Sequence, residues 1–135
     1  MRRDGFAALT TTPAAGGVVT TRVLATNVGR DELFVNVNGT GGVAVEVLSD
    51  DGRVLLGPSD TVTGDNVTAH VTWVGRTRPL APFSGKVSFR LRFTLGPDTQ
   101  LFAFWTAVDA CGASDGFVGG GGPGAPDGMD SRGRC

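Results

Sequence analysis

KVSFRLRFTL, Lys86 to Leu95, sets Val87, Phe89, Leu91, Phe93 and Leu95 on alternate positions, with Ser88, Arg90, Arg92 and Thr94 between them. Successive side chains of a strand point to opposite faces, so this spacing predicts a strand with one face in a core and the other in water. A helix of 3.6 residues per turn would scatter the same apolar residues around its circumference.

The same period recurs along the chain. In ELFVNVN, Leu33, Val35 and Val37 share a face opposite Asn36 and Asn38, and VAVEVL sets Val43, Val45 and Val47 against Glu46. Between them NGTGG, Asn38 to Gly42, has the turn-formers of a hairpin, because Asn and Gly tolerate positive φ. RVLL follows the DDG turn, and NVTAHVTWV places Val67, Ala69, Val71 and Trp73 opposite Thr68, His70 and Thr72. Strands at this spacing with no helical segment between them predict an all-β antiparallel sandwich of about eight strands. A jelly-roll or concanavalin-like arrangement is expected, with the jelly roll preferred. In LFAFWTAV the apolar residues occupy both faces, Leu101, Ala103 and Trp105 on one and Phe102 and Phe104 on the other. Cover is therefore expected on both sides of that strand, from a loop of this domain or from a partner.

Composition divides the chain at residue 110, with the patterned module over residues 1–110 and a Gly-rich tail over 111–135. The tail has too little apolar surface to offset the cost of ordering and is expected to be disordered. A net charge of -1 gives no electrostatic footprint for nucleic acid or an anionic membrane. No apolar run is long enough to span a bilayer and none resembles a signal peptide, so an extracellular location requires a leader in the full-length protein. Both cysteines, Cys111 and Cys135, fall in the tail, where a bridge between them would close only the tail. Asn38 and Asn66 head N-glycosylation sequons, which matter only in a secreted protein.

The search for chemistry yields few candidates. His70 is the only histidine, it lies on a polar strand face, and no nucleophile motif accompanies it. Asp60 and Asp65 in GPSDTVTGDN are close enough in sequence for a glycosidase pair, whose carboxyls stand about 5 to 10 Å apart. Yet nothing apolar nearby would raise either pKa, and turn structure is the preferred reading. A calcium-like oxygen site at Asp60 and Asp65 is the one metal site these carboxylates suggest, with SDDG, Ser49 to Gly52, a further acidic turn. For sugar binding, Trp73 and Trp105 are the aromatic candidates, although both fall on apolar faces. Arg90 and Arg92, with Glu46 beside them, form the polar candidate surface.

The order of motifs RRDGFAAL, VVTTRVL, LFVNVNGTGGVAVEVLSDDGRVLLGPSD, VTW, LAPFSGKVSFRLRFTL and LFAF resembles a C-terminal β-sandwich module that follows a catalytic-type β-propeller. The proteins that carry it are similar to invertase, levanase and arabinanase-like glycoside hydrolases. The resemblance spans roughly residues 2 to 105. It implies a non-catalytic accessory module that packs on an N-terminal β-propeller, stabilises it, and touches polysaccharide. It further implies that the acid/base carboxylates belong to the propeller, that Met1 is an internal start or the start of a truncated gene model, and that the doubly apolar last strand faces the missing neighbour. Asp60 matches an acidic position of the pattern, which implies contact with a cation or a sugar without chemistry, whereas Phe102 stands where the pattern has Tyr. The segment from Ser59 to Trp73 is shorter than in the pattern. A free-standing lectin-like carbohydrate-binding module is the alternative.

Overall fold

A computed structural model describes residues 8–114. The RRDGF motif, Cys135 and the tail beyond Ser114 lie outside the described residues. Eight strands and no helix make up the described chain: β1 (Leu9–Thr10), β2 (Gly17–Thr20), β3 (Glu32–Gly39), β4 (Val43–Leu48), β5 (Val54–Leu56), β6 (Asn66–Val71), β7 (Arg90–Leu95) and β8 (Thr99–Ala107). They form two four-stranded antiparallel sheets in the orders β1-β8-β3-β6 and β2-β7-β4-β5. The first strand thus pairs with the eighth, the second with the seventh, the third with the sixth and the fourth with the fifth. This is one long hairpin rolled over, with β8 also lying against β3 and β7 against β4. The result is the jelly-roll sandwich.

Register explains why the alternating segments choose these partners. Across β4 and β7, Val43, Val45 and Val47 oppose Leu95, Phe93 and Leu91, while Ala44 and Glu46 oppose Thr94 and Arg92 on the solvent side. A slip of one residue would turn the valines to water. From the facing sheet Leu33, Val35 and Val37 of β3 join them, with Ala69 and Val71 of β6, and all are buried in one core.

Two expectations from the spacing are corrected. Val87 is half exposed and lies outside the strand, because residues 80–87 form successive hydrogen-bonded turns and sheet pairing starts only at the bridge from Phe89 to Leu24. In β8 the alternation breaks. Asn36 pairs with Ala103 but Val37 pairs with Leu101, so Phe102 is an extra residue on β8. Such a bulge reverses which face the following residues occupy. Phe104 therefore packs on the core with Leu101, its ring 5.1 Å from that of Phe93, and Trp105 turns to the outer face opposite Phe34.

At one end of the sandwich the β3–β4 and β7–β8 turns meet backbone to backbone. A Cβ on Gly41 would stand 2.1 Å from the Pro97 carbonyl oxygen, and one on Gly96 would stand 2.3 Å from that of Gly41. The Gly96 amide donates to the Gly42 carbonyl at 2.8 Å. Gly41→Ala is expected to cost about 2 kcal/mol, the ordinary penalty for overpacking a site walled by backbone. A urea titration with unchanged m and a lowered midpoint checks it; an unshifted midpoint would show that the two turns are free to separate.

Candidate functional site

Trp105, Phe34 and His70 form a row on the outer face of the β1-β8-β3-β6 sheet, one from each of β8, β3 and β6. The rings of Phe34 and His70 stack at 4.7 Å and those of Phe34 and Trp105 at 5.9 Å. Phe34 itself is buried, because the chain after β8 folds back over it. The Trp105 Nε1–H donates to the Gly112 carbonyl at 2.9 Å, and a Cβ on Gly112 would stand 2.8 Å from the Phe34 ring. Cover on this side of β8 thus comes from the chain itself, and Trp105 is half-buried with its indole N–H engaged. Residues 111–114, assigned to the tail by composition, belong to this packing: Gly112 and Ala113 are buried and Cys111 is a half-cystine. His70 Nε2 sits 2.9 Å from a Glu32 carboxylate oxygen, a contact that holds the imidazole against Phe34.

The other residues singled out by sequence do not converge. Trp73 lies in the inter-sheet core and donates its Nε1–H to the Gly57 carbonyl at 2.7 Å, so it offers no stacking platform. Arg92 makes a forked contact with Glu46 at 2.9 and 3.0 Å, and this partner raises its pKa. A partly exposed pair of this kind contributes little to stability but fixes the guanidinium. Arg90 donates to the carbonyls of Asp50 and Thr21. Both arginines are therefore committed within the sheet. Asp60 accepts from the Thr72 hydroxyl at 3.0 Å and its amide donates to the Thr72 carbonyl, which makes it a loop fastener. Asp65 is exposed, and among the described residues no group of three or more His, Cys, Asp or Glu side chains could hold a metal ion. The buried carboxylate of the described residues, Asp31, accepts from Arg78, whose backbone is held at a φ of 51°.

Two clefts were not legible in the sequence. A polar one of about 730 Å³ lies where the β3–β4 and β7–β8 turns meet, lined by Thr10, Asn38, Thr40, Thr63, Asp98 and Gln100 with the backbone of Gly39 and Gly64. Register aligns part of it, since Thr10 pairs with Gln100 and Gln100 with Asn38 across three neighbouring strands. An apolar cleft of about 440 Å³ opens along the sandwich side where β1 and β2 are the edge strands, lined by Leu9, Val19, Phe93, Leu101, Phe102 and Phe104. These side chains come from segments far apart in sequence, and only the rolled topology collects them.

Fold and clefts together define a jelly-roll sandwich with a polar cleft at its rim and an apolar cleft at its edge. Comparison with protein-family profiles, with curated proteins and with solved structures gives no match.

The acidic SDDG turn is closed by its own side chains. The Ser49 hydroxyl donates to the Asp51 carboxylate and accepts from the Arg53 amide at 2.9 Å. The Ser49 hydrogen bond, followed by that of the Arg53 amide, lowers the Asp51 pKa below its ordinary 3.8. A depressed carboxylate stabilises the fold above its unfolded pKa, and that contribution fades as pH falls through the folded value. A carboxyl-carbon NMR titration is expected to place Asp51 below 3.8, and Ser49→Ala to return it toward 3.8. A value unmoved by Ser49→Ala would refute this account of the turn.

Proposed function

We propose that this chain is a non-catalytic accessory β-sandwich module of a glycoside-hydrolase-like protein, docking on a β-propeller domain and stabilising it. The motif order supplies the partner, and one structural observation supports the docking role: the β1/β2 edge is open and apolar. Leu9 and Val18 are 52% and 65% exposed there, Leu9 lining a cleft floored by Phe93, Leu101 and Phe104 and Val18 a neighbouring groove with Leu95. Edge strands with apolar side chains next to an apolar groove are the kind of surface that soluble proteins cover with a partner. Asp31, Glu32, Glu46, Asp51 and Asp60 are each held by a residue of the fold.

The expected outcome is that the chain associates with a separately produced β-propeller of the invertase, levanase or arabinanase type and raises its melting temperature. In the same assay Leu9→Asp with Val18→Asp should abolish association. Both positions are exposed, so the double variant should stay folded, with a stability change within about 1 kcal/mol as for ordinary surface substitutions. Propeller stabilisation that survives the double variant would remove this edge from the interface. A folded chain that ignores the propeller yet binds glycan tightly alone would favour the lectin-like module instead.

A further inference from the structure

The polar cleft at the turn end of the sandwich differs chemically from the rest of the surface. Several hydroxyls elsewhere are engaged within the fold, Thr11 with the Gly96 carbonyl, Thr21 with the Leu91 amide, Ser59 with the Val45 amide and Ser84 with the Arg30 carbonyl, while others such as Thr20 and Thr94 stand singly on the surface. In the cleft Thr10, Asn38, Thr40, Thr63, Asp98 and Gln100 make no side-chain hydrogen bond to any described residue. Six polar side chains from β1, β3, β8 and three connecting loops therefore converge on one concavity with their donors and acceptors open. The volume falls within the range of small-molecule sites.

Hydrogen bonds tie its walls together. Gly39 and Gly64 exchange backbone hydrogen bonds of 2.9 and 3.3 Å across the floor, and Thr11 ties β1 to the opposite turn by accepting from the Thr99 amide at 3.0 Å. Asp98 is held at a φ of 55°, an uncommon conformation for a residue with a side chain, by its amide's bond to the Thr12 carbonyl. Such preorganisation lowers the entropy lost on binding.

The lining selects the ligand. Two primary amides and four hydroxyls line the cleft, the Thr99 hydroxyl already donating to the Pro97 carbonyl, with one carboxylate that accepts only and no cationic or aromatic side chain. An anion would meet Asp98 with nothing to neutralise it, and a flat apolar ligand would find no ring to stack on. A neutral polyol supplies what is missing, with adjacent hydroxyls donating to Asp98 and bridging the amides of Asn38 and Gln100. We propose that this cleft is a binding site for a neutral saccharide, held edge-on through its hydroxyls. The site lies apart from Trp73, Trp105 and the Arg90/Arg92 face. The proposal rests on the accessory-module reading for its choice of sugar, and it deepens that reading by assigning the glycan contact to the turn end. Asn38 also heads the sequon Asn38-Gly39-Thr40, so a glycan attached there would compete for the cleft.

The test uses the full chain produced without N-glycosylation, titrated by amide NMR with uncharged levan- and arabinan-derived trisaccharides and with an acidic uronate trisaccharide. Saturable shifts at Thr10, Asn38, Thr63 and Asp98 to Gln100 are expected with the neutral sugars, in the millimolar range usual for a wet site without stacking. Asp98→Asn keeps a residue type that tolerates positive φ, so the fold should persist while affinity falls about tenfold, the loss of hydrogen bonds to a charged acceptor. Thr94→Ala, on the outer face of the other sheet, should change nothing. Absence of saturable shifts in a folded sample, shifts that map to Trp105 and His70, or equal binding of the uronate would each overturn the assignment. Propeller association measured on the same samples reports on docking separately, so either reading can fail alone.

Discussion

One extra residue, Phe102, governs both faces of the β1-β8-β3-β6 sheet. Strict alternation along β8 would put Leu101, Ala103 and Trp105 together and send Phe104 to the other side. The bulge instead lets Leu101 and Phe104 both reach the core, where Phe104 meets Phe93. It also turns Trp105 outward onto Phe34. An indole and a phenyl on the solvent side of a sheet must be covered, and the residues that follow β8 supply that cover through Gly112 and Ala113. The doubly apolar strand is thus satisfied largely within the chain, and at the β1/β2 edge Leu9 and Val18 stay exposed beside apolar grooves.

The strand pattern was legible because its signal is local. Leu33, Val35, Val37, Val43, Val45, Val47, Phe89, Leu91, Phe93 and Leu95 all occupy the core that period 2 assigns them. The number of strands and the jelly roll followed from turn spacing and the lack of helices. What escaped was non-local. A bulge leaves no mark in the alternation of its own strand, since it is defined by the partner's register, so the face of Trp105 was misassigned. Val87 continued the alternation in sequence, yet the turns from Leu80 to Val87 hold the chain off the sheet. Cover by Cys111 to Ser114 was hidden because a Gly-rich composition says nothing about one short segment pinned by a tryptophan hydrogen bond.

The candidate site shows the same division more sharply. Sequence chemistry finds residues that are conspicuous by type, and here the conspicuous ones are structural: Trp73 packs the core, Arg92 holds Glu46, Arg90 bridges loop carbonyls and Asp60 fastens Thr72. Thr10, Asn38, Thr63 and Gln100 are unremarkable in sequence, and their only distinction is convergence. Convergence depends on β1 pairing with β8, across some ninety positions, and on β8 pairing with β3, across some sixty to seventy-five. A rolled hairpin brings the ends of the chain's pairing order to one rim, which is why the polar cleft there is the least local part of the molecule.

β1 joins the two clefts. It is only two residues long, and the alternation of a strand sends its side chains in opposite directions: Leu9 lines the apolar edge cleft and Thr10 the polar end cleft. Immediately after it, Thr11 donates to the Gly96 carbonyl at 2.6 Å and accepts from the Thr99 amide, locking the strand to the β7–β8 turn that carries Asp98. A short edge strand paired on one side alone is among the first parts of a sheet to open. A partner seated on Leu9 would hold β1 in place and with it the Thr10 wall of the polar cleft, so docking at the edge and binding at the rim would reinforce each other. Reciprocity of linkage requires the converse, that a saccharide bridging Thr10 and Gln100 tightens the edge on which the partner sits.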